Sequence, residues 1–327
     1  MAMKEILRSV GEVSRPLMPS RRIRIILALT VLATIFAFCT FAQAEDSGSD
    51  YSLKKADYWY KRGLALSGEG AYEEALKNYD KALQAYPKKA AFWDGKAAAL
   101  ASLSLSRKDA SRFNDSLRAY DTAITLYDES LKSDSGDANV WYYRGQALSN
   151  KASLMQKSEQ LDIDIPKDDW SGILEEAIVS YEKAIEINPK FLTAWKNIGI
   201  DLRRLGRLNE SLQAYDRALE IDDKYALAWY NKGLALHELG EYGKALQSYD
   251  NALKTLPKDA AIWYNKGKAF YRQGDYDLAI ECYDQATKLN QSFAEAWQQK
   301  GEAYEQLGSD TIATAAFSKA KALGYGG

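Results

Sequence analysis

The stretch Ala228-Trp229-Tyr230-Asn231-Lys232-Gly233-Leu234-Ala235-Leu236 returns 34 residues later as Ile262-Trp263-Tyr264-Asn265-Lys266-Gly267-Lys268-Ala269-Phe270. The same phase recurs at Trp59, Trp93, Trp141, Trp195 and Trp297, and Trp170 alone falls outside it. Four of the six gaps between the seven phased tryptophans are 34 residues. A small residue follows each at +4 (Gly63, Ala97, Gly145, Gly199, Gly233, Gly267, Gly301) and a large apolar one at +7 (Leu66, Leu100, Leu148, Leu202, Leu236, Phe270, Tyr304). The second half of each unit keeps step: Ala75, Ala123, Ala177, Ser211, Ala245, Ala279 and Ala313 each precede by four a ring, Tyr79, Tyr127, Tyr181, Tyr215, Tyr249, Tyr283 or Phe317.

Offsets of three and four place residues on one face of a helix, since a turn takes about 3.6 residues. Each unit therefore reads as two amphipathic helices, and the fold class as all-α. Small side chains let two helix axes approach, and rings fill the hollow between neighbouring pairs. Gly70, Gly206, Gly240, Gly274 and Gly308 stand where first helices should stop, in the left-handed backbone that glycine tolerates. Pro87, Pro189 and Pro257 close three units, because proline cannot continue a helix.

A 34-residue helix-turn-helix unit carrying Trp, Gly, an apolar residue, Ala, Tyr and Pro in that order resembles the tetratricopeptide repeat. The resemblance covers residues 56–327, in units 56–89, 90–137, 138–191, 192–225, 226–259, 260–293 and 294–327. It implies a right-handed superhelical solenoid. Where the family usually has Leu, directly before the small residue, this chain has Arg62, Lys96, Arg144, Ile198, Lys232, Lys266 and Lys300; their long stems are expected to cover apolar surface while the charge reaches water. Ser135, Asp223, Gln291 and Tyr325 replace the closing Pro, which leaves those helix ends open by a residue or two.

The family resemblance also implies that first helices line a concave groove, with residues one and two after each Trp facing a ligand. Lys196, Asn197, Tyr230, Asn231, Tyr264 and Asn265 hold such positions. The Asn ladder can give and accept backbone hydrogen bonds, and the tyrosines offer flat contact surface. One turn later Arg203, His237 and Tyr271 are expected on the same wall, with Lys268 between. Some family members grip a terminal carboxylate with a two-Lys, two-Asn, one-Arg clamp. Lys196 and Asn231 fit two of its positions, but Ile200, Ala261 and Asn265 occupy the others, which argues against a clamp.

Two units are longer. The Trp93–Trp141 and Trp141–Trp195 spacings are 48 and 54 residues. In the first, the pattern Phe113, Leu117, Tyr120, Ile124, Tyr127, Leu131 lengthens the second helix toward its N-terminus. In the other, Ser149 to Gln160 lengthens the first helix, Leu161 to Pro166 breaks it, and Asp168 or Asp169 caps the next. Adjacent insertions form one lobe, either a recognition surface or taller helices propping each other up. Asp162, Asp164, Asp168 and Asp169 lack the Gly and terminal Glu of a calcium loop and read as a solvated turn.

Arg21, Arg22 and Arg24 precede the uncharged stretch Ile25 to Ala42, and Ala42-Gln43-Ala44 reads as a cleavage site before an acidic linker, 45–55. Residues 1–44 are expected to act as a signal peptide or as an uncleaved anchor in the cell membrane. Either way the repeats are exported, to an extracytoplasmic or secreted location. The rest of the chain carries 37 basic against 43 acidic side chains, and no basic patch alternates with base-stacking aromatics, so nucleic acid is excluded as a partner. His237 is the only histidine and has no Ser, Cys or carboxylate spacing for a triad or metal site. No phosphate-binding loop is present, so neither enzyme activity nor a cofactor is expected. The expected function is a scaffold binding a protein or peptide partner; an envelope or polysaccharide-binding module is the alternative. The last unit lacks a polar capping helix, leaving Ile312, Ala316 and Leu323 uncovered for packing on another copy.

Overall fold

The computed structural model describes residues 52–164 and 167–326. The chain divides into two units, 1–58 and 59–327. The described part of the first, 52–58, is helical; the proposed export segment 1–44 and linker residues 45–51 lie outside the described residues. No described helix is long and apolar enough to cross a membrane.

The second unit is an all-α solenoid of seven helix pairs, with no strand among the described residues. The first two pairs are α1 (59–68) with α2 (Tyr72–Ala85), and α3 (Ala90–Arg107) with α4 (Ala110–Ser133). The third is α5 (Ala138–Gln156) with α6 (Lys167–Ile187), and the fourth α7 (Leu192–Arg204) with α8 (Leu208–Ile221). Then come α9 (Ala226–Glu238) with α10 (Tyr242–Thr255), α11 (Ala260–Gln273) with α12 (Tyr276–Leu289), and α13 (Ala294–Gln306) with α14 (Asp310–Ala322). Each helix packs on its chain neighbours, so every pair buries its apolar face against the next.

The phased glycines are seats for rings. A Cβ at Gly199, Gly233 or Gly267 would lie 2.4, 2.5 or 2.6 Å from Cε1 of Tyr215, Tyr249 or Tyr283, closer than two carbon atoms can approach. Those three rings are wholly buried. The tryptophans clasp the turns between units: the indole N–H of Trp93, Trp229 and Trp263 donates to the carbonyl six residues earlier, of Pro87, Asp223 and Pro257, at 2.9, 2.7 and 3.0 Å. Trp141 does the same to Ser135. Proline is not required at that position. The helices ending near Ser135, Asp223 and Gln291 stop at Ser133, Ile221 and Leu289, two residues ahead, as those ending near proline do. At those ends a side-chain oxygen of Asp134, Asp222 or Asn290 accepts the backbone N–H two residues on, a turn that competes with further helix.

The insertions differ from the expectation in four ways, one being that α5 stops at Gln156, short of the expected Gln160, with a 3-10 turn following over Ser158–Leu161. In the second unit both helices lengthen, α3 running to Arg107 and α4 taking 24 residues. There Lys108, with φ 53°, takes the left-handed place that glycine fills elsewhere. The register also slips. Ser211 Oγ donates to the Gly199 carbonyl twelve residues before it, whereas its counterpart Ser116 donates to Ala97, nineteen before it. By that count Tyr120, buried, stands toward α3 in place of the expected Tyr127, which instead stacks on Tyr143 of the third unit with ring centroids 6.4 Å apart. Seven residues are two helical turns, so both rings lie on one face of α4. In the third unit α6 begins at Lys167, so Asp168 and Asp169 fall inside its first turn and not at its cap.

The basic residues before the small position do not simply reach water. Lys96, Arg144, Lys232, Lys266 and Lys300 pair with Asp80, Asp128, Asp216, Asp250 and Asp284 of the preceding second helix, at 2.7, 2.6, 2.5, 2.6 and 2.5 Å. Four of the ammonium groups also lie 4.9 to 5.5 Å from the centroid of their own tryptophan, a cation–π contact. The ladder breaks at α7, where the equivalent residue is the buried Ile198. At the far end Ile312 is half exposed, but Ala316 is buried, contrary to expectation.

Candidate functional site

Successive first helices touch each other, α3 with α5, α5 with α7, α7 with α9, α9 with α11 and α11 with α13. Among the described residues no second helix packs to that extent on another second helix. First helices thus crowd along one side of the array, and the residues expected in a groove stand on first helices.

The Asn ladder spends its donors within the protein. Asn197 Nδ2 donates to the hydroxyls of Tyr142 and Tyr181 at 3.4 and 3.3 Å. Asn265 Nδ2 donates to the Tyr230 hydroxyl at 3.0 Å and to its own helix at Ala261. Asn231 turns back on Leu227. Two of the three thus tie one repeat to the next, and their carbonyl oxygens remain as acceptors. Tyr230 and Tyr264 are half buried; Tyr264 packs on Tyr283 and Phe293 with centroids 6.0 and 4.9 Å away, so one face of the ring is already occupied.

One turn further, Arg203 Nη1 pairs with Glu238 of the next first helix at 2.5 Å. His237 meets the edge of Tyr242, and its Nε2 is buried without a hydrogen-bond partner. Burial, then the charges of Lys268 and Arg272, hold this imidazole below its ordinary value, so it is neutral at pH 7. Lys268 lies over the Tyr264 ring, and Tyr271 meets Tyr276 edge-on.

Sequence reasoning missed the most unusual group there. Asp201, on α7, is wholly buried. Its Oδ1 accepts from Ser149 Oγ at 2.7 Å and from Arg204 Nη1 at 3.1 Å, while Oδ2 has no partner. Arg204 is fixed in turn by Gln156, whose Oε1 accepts from Nε and Nη2 at 2.9 and 2.6 Å. Gln156 exists only because α5 is longer than an ordinary first helix, so the third unit's insertion helps build this cluster. Burial pushes the Asp201 carboxyl up to about 6 in spite of Ser149 and Arg204. Lys196 beside it is held below its ordinary value by burial, with Asp201 opposing. Toward the N-terminal end, burial pushes Asp94 up to about 7. No group of His, Cys, Asp and Glu that could hold a metal ion occurs among the described residues.

Family models described as TPR repeat match residues 201–240, 233–274 and 267–308, and models described as tetratricopeptide repeat match 56–89, 172–191 and 294–323. The chain belongs to the tetratricopeptide repeat family. An uncharacterised protein of Methanocaldococcus jannaschii is 39% identical over 51 residues, 16% of this chain and 59% of that protein. Photosystem I assembly protein Ycf3 of Synechococcus sp. (strain CC9902) is 25% identical over 155 residues, 47% of this chain and 52% of that protein. The chain thus spans little more than half the length of these curated relatives. A solved tetratricopeptide repeat protein from Parabacteroides merdae ATCC 43184, 16% identical, matches with a TM-score of 0.50 over 84% of this chain and 94% of that one, which establishes the shared fold.

Proposed function

We propose that this tetratricopeptide repeat array is a non-enzymatic scaffold that holds an extended segment of a partner protein along its concave face. The observation that carries the reading is the run of unlike side chains at one repeat position, eight residues after the phased Trp, on adjacent first helices: Arg203 on α7, His237 on α9 and Tyr271 on α11. Core positions repeat while these do not, as a surface fitted to a ligand requires. The assembly role in the name of the Synechococcus relative supports the same reading. The proposal places the array outside the cytoplasm, on the strength of Arg21, Arg22 and Arg24 before the apolar run 25–42. It includes self-association through the exposed Ile312 side of α14, for which sedimentation over a range of concentrations is the check.

The test is selection of peptides from a random library on the full chain, followed by affinity measurement with the variant Asn231→Ala/Lys268→Ala. Asn231 bonds only within its own helix and Lys268 only overlies a ring, so neither change should disturb the array. Enriched peptides should weaken at least about tenfold, a loss of roughly 1.4 kcal/mol. Unchanged affinity would place binding elsewhere.

A further inference from the structure

Between α5 and α7 lies a cavity of about 300 Å³ lined by Gln146, Asn150, Ser153, Lys196, Ile200 and Asp201, among others. Its floor departs from the repeat. The residue six after the phased Trp is alanine in the other six units (Ala65, Ala99, Ala147, Ala235, Ala269, Ala303) and aspartate only here. An ionised side chain has replaced a methyl group in the seam between two repeats, where an uncompensated charge is costly. Arg204 and Ser149 satisfy one of its oxygens and leave the other without a donor. Of the two α7 cations that line the cavity, Arg204 is held by Asp201 and Gln156, and Lys196 makes no ion pair.

The cavity is far larger than the roughly 30 Å³ that one bridging water needs. The polar groups of its wall are a donor cation, Lys196, a buried acceptor without a partner, Asp201 Oδ2, and the uncommitted amides of Gln146 and Asn150. An ammonium ligand would face Lys196 and Arg204. A carboxylate would face Asp201 and leave Oδ2 without its donor. A primary amide has both halves of the match, a carbonyl for Lys196 and an N–H for Asp201, and Ile200 offers apolar surface to the methylene that carries it. We infer that this cavity is a subsite for a carboxamide side chain, Gln or Asn, of the bound partner. It rests on the proposed groove and gives that groove a sequence preference.

The experiment titrates the full chain with N-acetyl-Ala-Gln-Ala-N-methylamide, which has no primary amide apart from the Gln side chain, and its Glu and Lys counterparts. The Gln peptide should bind at least about tenfold more tightly than either. Asp201→Asn and Lys196→Met should each bring the Gln-to-Glu ratio near one. A Glu preference in the wild type, or a Gln preference that survives in both variants, overturns the inference. Should the groove reading itself fail, none of the three peptides binds. Propionamide, propionate and propylammonium, followed by the Lys196 Nζ resonance, then test the cavity alone. A shift with propionamide only, lost in Asp201→Ala, supports the subsite; no shift with propionamide refutes it. Asp201→Ala installs the residue used by the other six repeats, so the variant keeps the packing of the array.

Discussion

Replacing Asp201 by Asn should change how stability responds to pH, because the buried carboxyl holds its proton more tightly folded than unfolded. Its value rises from 3.8 in the unfolded chain to about 6 in the array, chiefly through burial. A group raised in this way binds more protons in the native state between those two values, so stability falls as pH climbs through that window. This is opposite to the usual effect of an ion-paired aspartate. At 1.36 kcal/mol per pK unit the shift amounts to about 3 kcal/mol, absent below about pH 4 and fully felt above about pH 6. Asn keeps the acceptor for Ser149 but has nothing to ionise. The wild type should therefore lose about 3 kcal/mol relative to Asp201→Asn between pH 3.5 and pH 7. Stability in a repeat array is a sum of local terms, so the measurement should pair denaturant unfolding across that range with amide hydrogen exchange in α7 and α8. Parallel pH profiles for the two proteins would refute the reasoning, as would a difference of opposite sign, which would mean that Arg204 outweighs burial.

Two glycines should respond to alanine with opposite sign. Gly233→Ala places a Cβ 2.5 Å from a fully buried ring and should cost about 1–2 kcal/mol net of the helix-propensity gain, whereas Gly172→Ala in α6 meets nothing within 4 Å and should stabilise by about 0.5–1 kcal/mol; thermal unfolding of both variants checks the pair. Lys108→Gly relieves the left-handed backbone at the end of α3 and should add about 1 kcal/mol, to be seen as a higher denaturant midpoint.

The period was legible because the repeats solve one steric problem with nearly the same pieces: Gly, or Ala97 in the second unit, where a ring must sit, a Trp whose indole N–H reaches the preceding turn from Trp93 to Trp263 but not at Trp297, and Ala where axes cross. The seven pairs and their positive-φ stops at Gly70, Gly206, Gly240, Gly274 and Gly308 follow from spacing alone. The slip in the second unit was not legible. A shift of seven residues returns a helix to the same face, so Tyr120 and Tyr127 are equally good candidates until a partner helix chooses between them. The Asn ladder was visible as a pattern, but whether its amides faced a ligand or a neighbouring tyrosine depended on the distance between adjacent first helices.

What the chain's own spelling settled was therefore the local and periodic part: helices, their phase, their ends and the all-α array. Asp201 was visible there too, as the one acid in a column of alanines, but its meaning was not. Only packing set α5 beside α7, let the lengthened α5 bring Gln156 to Arg204, and left one carboxylate oxygen without a donor over a cavity. The physical reason is range. Helix and turn preferences act within a few residues, while the burial and pairing of a charge are decided by groups some fifty positions away along the chain.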